Sequence, residues 1–139
     1  MIGGPDLLSY PHLFKQIQKK AERVKNLRFL GFQPLDVTEK HFDRCKVFIN
    51  TSIYEGFPNT FLQSWSRGIP VISYVDPDNV IKKYNLVIAV NSENELHRSL
   101  LNLLCSSSWD SAPILDYFRK NHSSEVINNY CFIFDNLLK

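Results

Sequence analysis

Long hydrophobic runs are absent from this chain. None of its segments approaches the ~20 consecutive apolar residues that span a bilayer. The N-terminus has neither the basic region nor the apolar core of a secretion signal. Cysteine is scarce: Cys45, Cys105 and Cys131 are an odd number at wide, irregular spacings. No disulfide framework and no zinc spacing can be read from them, so reduced thiols in a cytosolic compartment are expected. Excess charge of one sign is also lacking. Lys and Arg outnumber Asp and Glu by 16 to 14, and no basic block exceeds Lys19-Lys20 or Lys82-Lys83. A nucleic-acid-binding domain concentrates a basic face, so nucleic acid is not an expected partner. Glycine is sparse, and Gly3-Gly4-Pro5 is too weak to be the glycine-rich phosphate loop of a dinucleotide site. His12, His41, His97 and His122 lack the acidic or nucleophilic neighbours that would make a catalytic set. No metal-ligating cluster is evident. What remains is a globular composition, with 44% hydrophobic and 13% aromatic residues over 139 positions. That length suits one domain with a real core.

The order of patterns is that of alternating strands and helices. After a turn at Met1–Pro5, Tyr10, Leu13, Phe14, Ile17, Ala21 and Val24 recur at helical spacing, with Lys15, Lys19, Lys20 and Glu22 opposite. Leu27–Leu30 reads as a strand, followed by the loop Gly31-Phe32-Gln33-Pro34. Asp36–Arg44 reads as a short helix with Val37, His41, Phe42 and Cys45 inward. The runs Lys46–Asn50, Pro70–Val75 and Leu86–Val90 are short and apolar, as buried parallel strands are. Asp76-Pro77-Asp78-Asn79 is a turn cluster capping a short helix, and Asp76, Asp78 and Lys82 form a weak second rim. Ser92 with Glu95 makes a capping box for a helix carrying Leu96, Leu100, Leu103 and Leu104. Two further helices follow, one with Leu115 and Phe118, the other with Val126, Ile127, Tyr130, Phe134 and Leu137. The expected fold is α/β, a Rossmann-like parallel sheet with helices on both faces.

The most informative stretch is Tyr54-Glu55-Gly56-Phe57-Pro58-Asn59-Thr60-Phe61-Leu62-Gln63-Ser64-Trp65, followed by Gly68-Ile69-Pro70-Val71-Ile72-Ser73. Residues 51–58 form a loop after the Lys46–Asn50 strand. Asn59 or Thr60 then caps a helix whose Phe61, Leu62 and Trp65 face one side, with Trp65 in the core. Gly68 ends that helix and Pro70 opens the next strand. A helix N-terminus at the carboxyl end of a parallel strand is where open α/β sheets hold anionic ligands.

The run Glu55-Gly56-Phe57-Pro58-Asn59-Thr60-Phe61-Leu62-Gln63, with Gly68-x-Pro70-Val71, resembles the signature of retaining GT-B glycosyltransferases of the family 4, or group 1, type. Ile2–Pro5, Asn26–Phe32 and Asn121-His122-Ser123 are similar to other segments of that family's C-terminal, donor-binding domain, so the resemblance covers nearly the whole chain. The family carries two glutamates separated by seven residues. Here the first is Glu55 and the second position is Gln63, which keeps the length and hydrogen-bonding capacity but not the charge.

The resemblance implies the following. The chain is a single nucleotide-sugar-binding domain over residues 1–139, N-terminally truncated by one strand–helix unit that supplies a basic pair for the diphosphate. Glu55 is the catalytic residue, accepting hydrogen bonds from hydroxyls of the donor sugar. Gly56, Phe57, Pro58, Asn59, Thr60 and Gln63 bind the donor, Gln63 through the ribose, and Phe32 and Gln33 lie at the base. The donor is a UDP- or GDP-sugar, with no metal and no further cofactor. The acceptor, a glycan or lipid-linked sugar of polysaccharide biosynthesis, is held by an N-terminal domain outside this chain, so the isolated chain is expected to be slow or inert. Membrane association is at most peripheral, at the inner face. Two other readings stay open. One is a non-catalytic nucleotide-sugar-binding module or a fragment completed by another chain, favoured by Gln63. The other is a flavodoxin-like domain, in which Glu55 has no role.

Overall fold

The computed structural model describes residues 10–106, 110–126, 128 and 133. The chain falls into two units, Met1–His41 and Phe42–Lys139. In the first, helix α1 (Pro11–Glu22) starts with proline in its first turn, where a missing N–H costs nothing. Its apolar stripe is narrower than the spacing suggests. Ala21 is buried and Phe14 and Ile17 are half-buried, whereas Tyr10, Leu13 and Val24 are exposed. The Phe14 ring meets Phe29 at 5.2 Å and lies 3.3 Å from where a Cβ on Gly31 would stand, which suits the left-handed glycine there.

The strand expected at Leu27–Leu30 does not form among the described residues. A strand exists only through pairing. Residues 27–30 carry no strand assignment and pairing is confined to a bridge at Gly31, while the Leu27 N–H donates to Val24 O at 3.0 Å and Phe29 meets Phe14. Helix α2 (Leu35–Phe42) stops before Arg44, and Cys45 N–H closes a turn onto Phe42 O. His41, expected inward, is exposed.

The second unit holds a parallel three-stranded sheet in the order β1 (Phe48–Asn50), β2 (Val71–Ser73), β3 (Val87–Ala89). Each strand is shorter than its apolar run because the ladder registers Phe48 with Val71 and Val71 with Val87 over three residues. Single bonds extend it at the ends: Phe48 N–H to Pro70 O, Tyr74 N–H to Asn50 O, and Val90 N–H to Ser73 O. All three residues of β2 are buried. Neighbouring side chains on a strand point to opposite faces, so both faces of β2 are covered. This is the α/β, Rossmann-like arrangement expected of the C-terminal half of a GT-B enzyme.

Helices α3 (Asn59–Trp65), α4 (Val80–Tyr84) and α6 (Ala112–His122) share one core with the sheet, and α5 (Glu93–Cys105) packs on β2. Phe61, Trp65, Val71, Ile81, Leu86, Val87, Ile114 and Tyr117 form that core. On α6 the buried residues are Ile114 and Tyr117, and Leu115 and Phe118 are only half-buried. The expected capping box of α5 forms on its serine side, with the returning glutamate bond shifted one residue ahead of the N-cap. Ser92 Oγ accepts from Glu95 N–H, and the Glu95 carboxylate accepts from Asn91 N–H at 2.7 Å. The final helix expected over Val126–Leu137 lies largely outside the described residues.

Helix α3 ends as Ile69 N–H reaches back to Ser64 O and Gly68 N–H to Trp65 O, both at 3.0 Å, with Gly68 at φ 67°. A Cβ at Gly68 would stand 2.8 Å from Ser111 Cβ and 3.2 Å from Leu115 Cγ. Gly68→Ala therefore combines a left-handed alanine with a forced shift of α6. It is expected to destabilise the chain by about 2–3 kcal/mol, read as a lowered midpoint in chemical denaturation.

Candidate functional site

The loop between β1 and α3 carries the candidate residues, and its shape begins at Asn50. That side chain is 7% exposed at the carboxyl end of β1. Its Oδ1 accepts from Ser52 N–H at 2.8 Å, and its Nδ2 donates to Glu55 Oε2 at 2.8 Å. Glu55 is thus exposed to solvent yet tied to the sheet. Its Oε1 has no partner among the described residues. Gly56 is exposed, and a Cβ there would meet nothing within 4 Å, so packing does not demand glycine. Phe57 turns back from the loop. Its ring meets His122 at 5.7 Å, Trp65 at 5.9 Å and Phe61 at 6.5 Å.

The start of α3 differs from the expected cap. Pro58, in extended backbone, is the N-cap residue, with no side-chain cap, and Asn59 and Thr60 are the first two helical residues. Proline cannot cap, because it has no side-chain acceptor. Phe61 N–H is satisfied by Pro58 O at 2.9 Å. The Asn59 and Thr60 amides are the first two of the helix, ahead of any acceptor within it, and neither makes a hydrogen bond among the described residues. Gln63 is one turn further along and half-buried, with no side-chain hydrogen bond among the described residues. Its carbonyl accepts from Ser66 Oγ and Arg67 Nη1, and Arg67 is fixed in turn by Asp43 at 2.8 Å.

Glu55, Gly56, Phe57, Pro58, Asn59, Thr60 and Gln63 therefore lie on one continuous loop–helix segment. Phe32 and Gln33 belong to the first unit. There Phe32 is 87% exposed, and the Gln33 amide donates to Leu30 O at 2.6 Å. In the second rim, Asp76 is consumed by structure. Its carboxylate accepts from Ile81 N–H at 2.8 Å and Lys82 N–H at 3.3 Å, capping α4 across the intervening turn. Asp78 and Lys82 are exposed. Among the described residues no group of three or more His, Cys, Asp or Glu could hold a metal ion, and no helix is long and apolar enough to cross a membrane.

Sequence reasoning missed two residues here. In sequence Asn50 is the end of an apolar run, although a polar residue closing such a strand at the carboxyl edge is itself a signal. His122 lacks context in sequence because two of its ring neighbours, Phe57 and Trp65, are distant along the chain. In the fold its ring lies among Phe57, Trp65, Tyr117 and Phe118, with Nε2 at 3.4 Å from the Tyr117 hydroxyl. Burial pushes the His122 imidazole below its ordinary value. Burial, and then the neighbouring Tyr84 and Asp78, push the Tyr117 phenol up.

The family described as Glycosyl transferases group 1 has a sequence model that matches residues 1–106. The chain is 24% identical over 124 residues to the O-antigen chain mannosyltransferase B of Escherichia coli, covering 83% of this chain and 32% of that protein. It thus spans about a third of the length of that curated relative. No solved structure matches the chain.

The position of His122 sets a pH dependence. Its folded-state value lies below the unfolded value of about 6.5, so its contribution to stability is complete above that pH. The contribution is lost as pH falls from there through the folded value. Between pH 7.5 and 5.5 the wild-type melting temperature is expected to fall more than that of His122→Asn. Parallel slopes would contradict the burial of the neutral ring.

Proposed function

The chain belongs to the group 1 glycosyl transferases, and from that premise we propose that it forms the donor-binding half of a retaining hexosyltransferase using a nucleotide-diphosphate sugar. One observation carries the reading: Glu55 is held through Oε2 by a buried amide, its Oε1 has no partner among the described residues, and the segment leads into a helix start with no side-chain cap. Transfer breaks the bond between the anomeric carbon and the diphosphate. Negative charge grows on the leaving group and positive charge on the ring. Fixed dipoles placed where that charge appears are the main means of catalysis. The open Asn59 and Thr60 amides supply such dipoles without a side-chain charge. Glu55 accepts from hydroxyls of the donor sugar, and Gln63, one turn on, meets the ribose.

The donor is a UDP- or GDP-sugar. Gly56 leaves the loop surface open for close approach of the donor, while Phe57 and Pro58 set the loop's shape. Phe32 and Gln33 are assigned to the nucleotide base on family resemblance alone. The acceptor is a glycan or lipid-linked sugar in polysaccharide biosynthesis, bound by an N-terminal domain, with the protein cytoplasmic or peripheral at the inner membrane face. The name of the Escherichia coli relative, an O-antigen chain mannosyltransferase, agrees with transfer of a hexosyl group. Gln63 in place of an acid favours a second reading, a binding module that does not itself catalyse transfer.

Calorimetry with UDP and GDP tests the proposal. One nucleotide is expected to bind. Gln63→Ala should weaken it about fivefold, the loss of a neutral hydrogen bond. Gln63→Glu should tighten it by a similar factor, since charge-assisted bonds are roughly twice as strong. A folded chain that binds neither nucleotide would overturn the reading.

A further inference from the structure

Among the described residues, the Asn50 carboxamide is the side chain that joins the sheet to the Glu55 carboxylate of the loop. Its position is set by β1, where Asn50 pairs with Ser73 and its carbonyl accepts from Tyr74 N–H. Its amide has one workable orientation. Ser52 N–H is a donor and must meet Oδ1, which leaves Nδ2 facing Glu55. A flipped amide would set donor against donor at Ser52 and oxygen against carboxylate at Glu55. Asn50 itself is 7% exposed, so its amide depends on these two partners more than on water.

From this geometry we infer that Asn50 is a positioning residue for recognition of the donor sugar, a role that rests on the glycosyl-transfer reading above. It acts through Glu55. Occupying Oε2 with a strand-anchored donor fixes the rotation of the carboxylate and leaves Oε1 as the oxygen that accepts from a sugar hydroxyl. Without Asn50, Glu55 is an exposed loop side chain that loses rotamer freedom when the sugar binds. The loop then forms, but the acceptor is no longer preorganised. The arrangement also assigns Glu55 a single kind of work at this bond, accepting and never donating.

The test compares the affinity of the intact chain for UDP and GDP with that for UDP-glucose and GDP-mannose, so that the sugar's own contribution is isolated. Asn50→Asp keeps volume and the acceptor for Ser52 N–H, but sets a carboxylate against Glu55. Should that variant fail to melt cooperatively, Asn50→Ser, too short to reach Glu55, takes its place. Glu55→Ala is expected to reduce the sugar's affinity gain about tenfold, with nucleotide affinity unchanged. Asn50→Asp should do the same. In the Glu55→Ala background the Asn50 substitution should change the gain by less than about twofold, because its partner is gone.

Retention of the sugar's gain in a folded Asn50 variant, with Glu55→Ala defective, would overturn the inference and leave the donor-site reading standing. So would an Asn50 effect of equal size with and without Glu55, or an equal loss for nucleotide and nucleotide sugar. Failure of the wild-type chain to bind any of the four compounds would remove the donor-site reading and the inference with it.

Discussion

The indole of Trp65 has no exposed surface, and four other rings meet it: Phe57 from the loop, Phe61 from its own helix, and Tyr117 and His122 from α6. Burying a side chain of this size is worth several kcal/mol at about 25 cal/mol per Å² of apolar area. Its larger consequence is geometric. Truncating it would separate the loop that carries Glu55 from the helix that follows and from the helix that backs both. The tight end of α3 at Gly68, pressed against Ser111 and Leu115, keeps α3 and α6 close enough for that cluster to close. The sheet adds the second fixed point, through β2 buried on both faces and Asn50 at the end of its neighbour.

The candidate site therefore hangs between two rigid supports, although most of its own residues are exposed. Phe57 pins one end of the loop into the aromatic cluster, and Asn50 pins the other to the strand. The residues between them, 51–56, are all exposed and contribute nothing to the core. Such a segment costs stability unless a ligand uses it, because ordered loops with open polar groups gain nothing from packing. The uncapped start of α3 fits the same pattern. Proline at the N-cap gives up the side-chain hydrogen bond that serine or aspartate would provide, and leaves amides for another acceptor.

The α/β order was legible in the sequence because buried parallel strands are short apolar runs between helical patterns, and all three sheet strands fall inside such runs. The candidate loop was legible as a local motif, and Trp65 as core from its spacing with Phe61. What failed was what depends on partners distant in sequence. Leu27–Leu30 has strand-like residues but no ladder among the described ones. Tyr10 and Leu13 share the period of α1 yet remain exposed, because period shows which residues align and not what covers them. The Pro58 cap is hidden in sequence because Asn59 and Thr60 are good capping residues placed one and two positions too late. Asn50 and His122 acquire meaning only when a five-residue loop closure and the far end of α6 bring their partners together.

The central claim is that the segment from Glu55 to Gln63 receives a nucleotide diphosphate. Amide chemical-shift mapping of the labelled chain during titration with UDP and GDP tests it most directly. The account predicts that one nucleotide shifts the backbone amides of Phe57, Asn59 and Thr60 and the side-chain amide of Gln63, with little change at the exposed residues of α5. Shifts confined to another surface, such as the shallow cavity lined by Tyr84, Asp116, Tyr117 and Lys120, would contradict it.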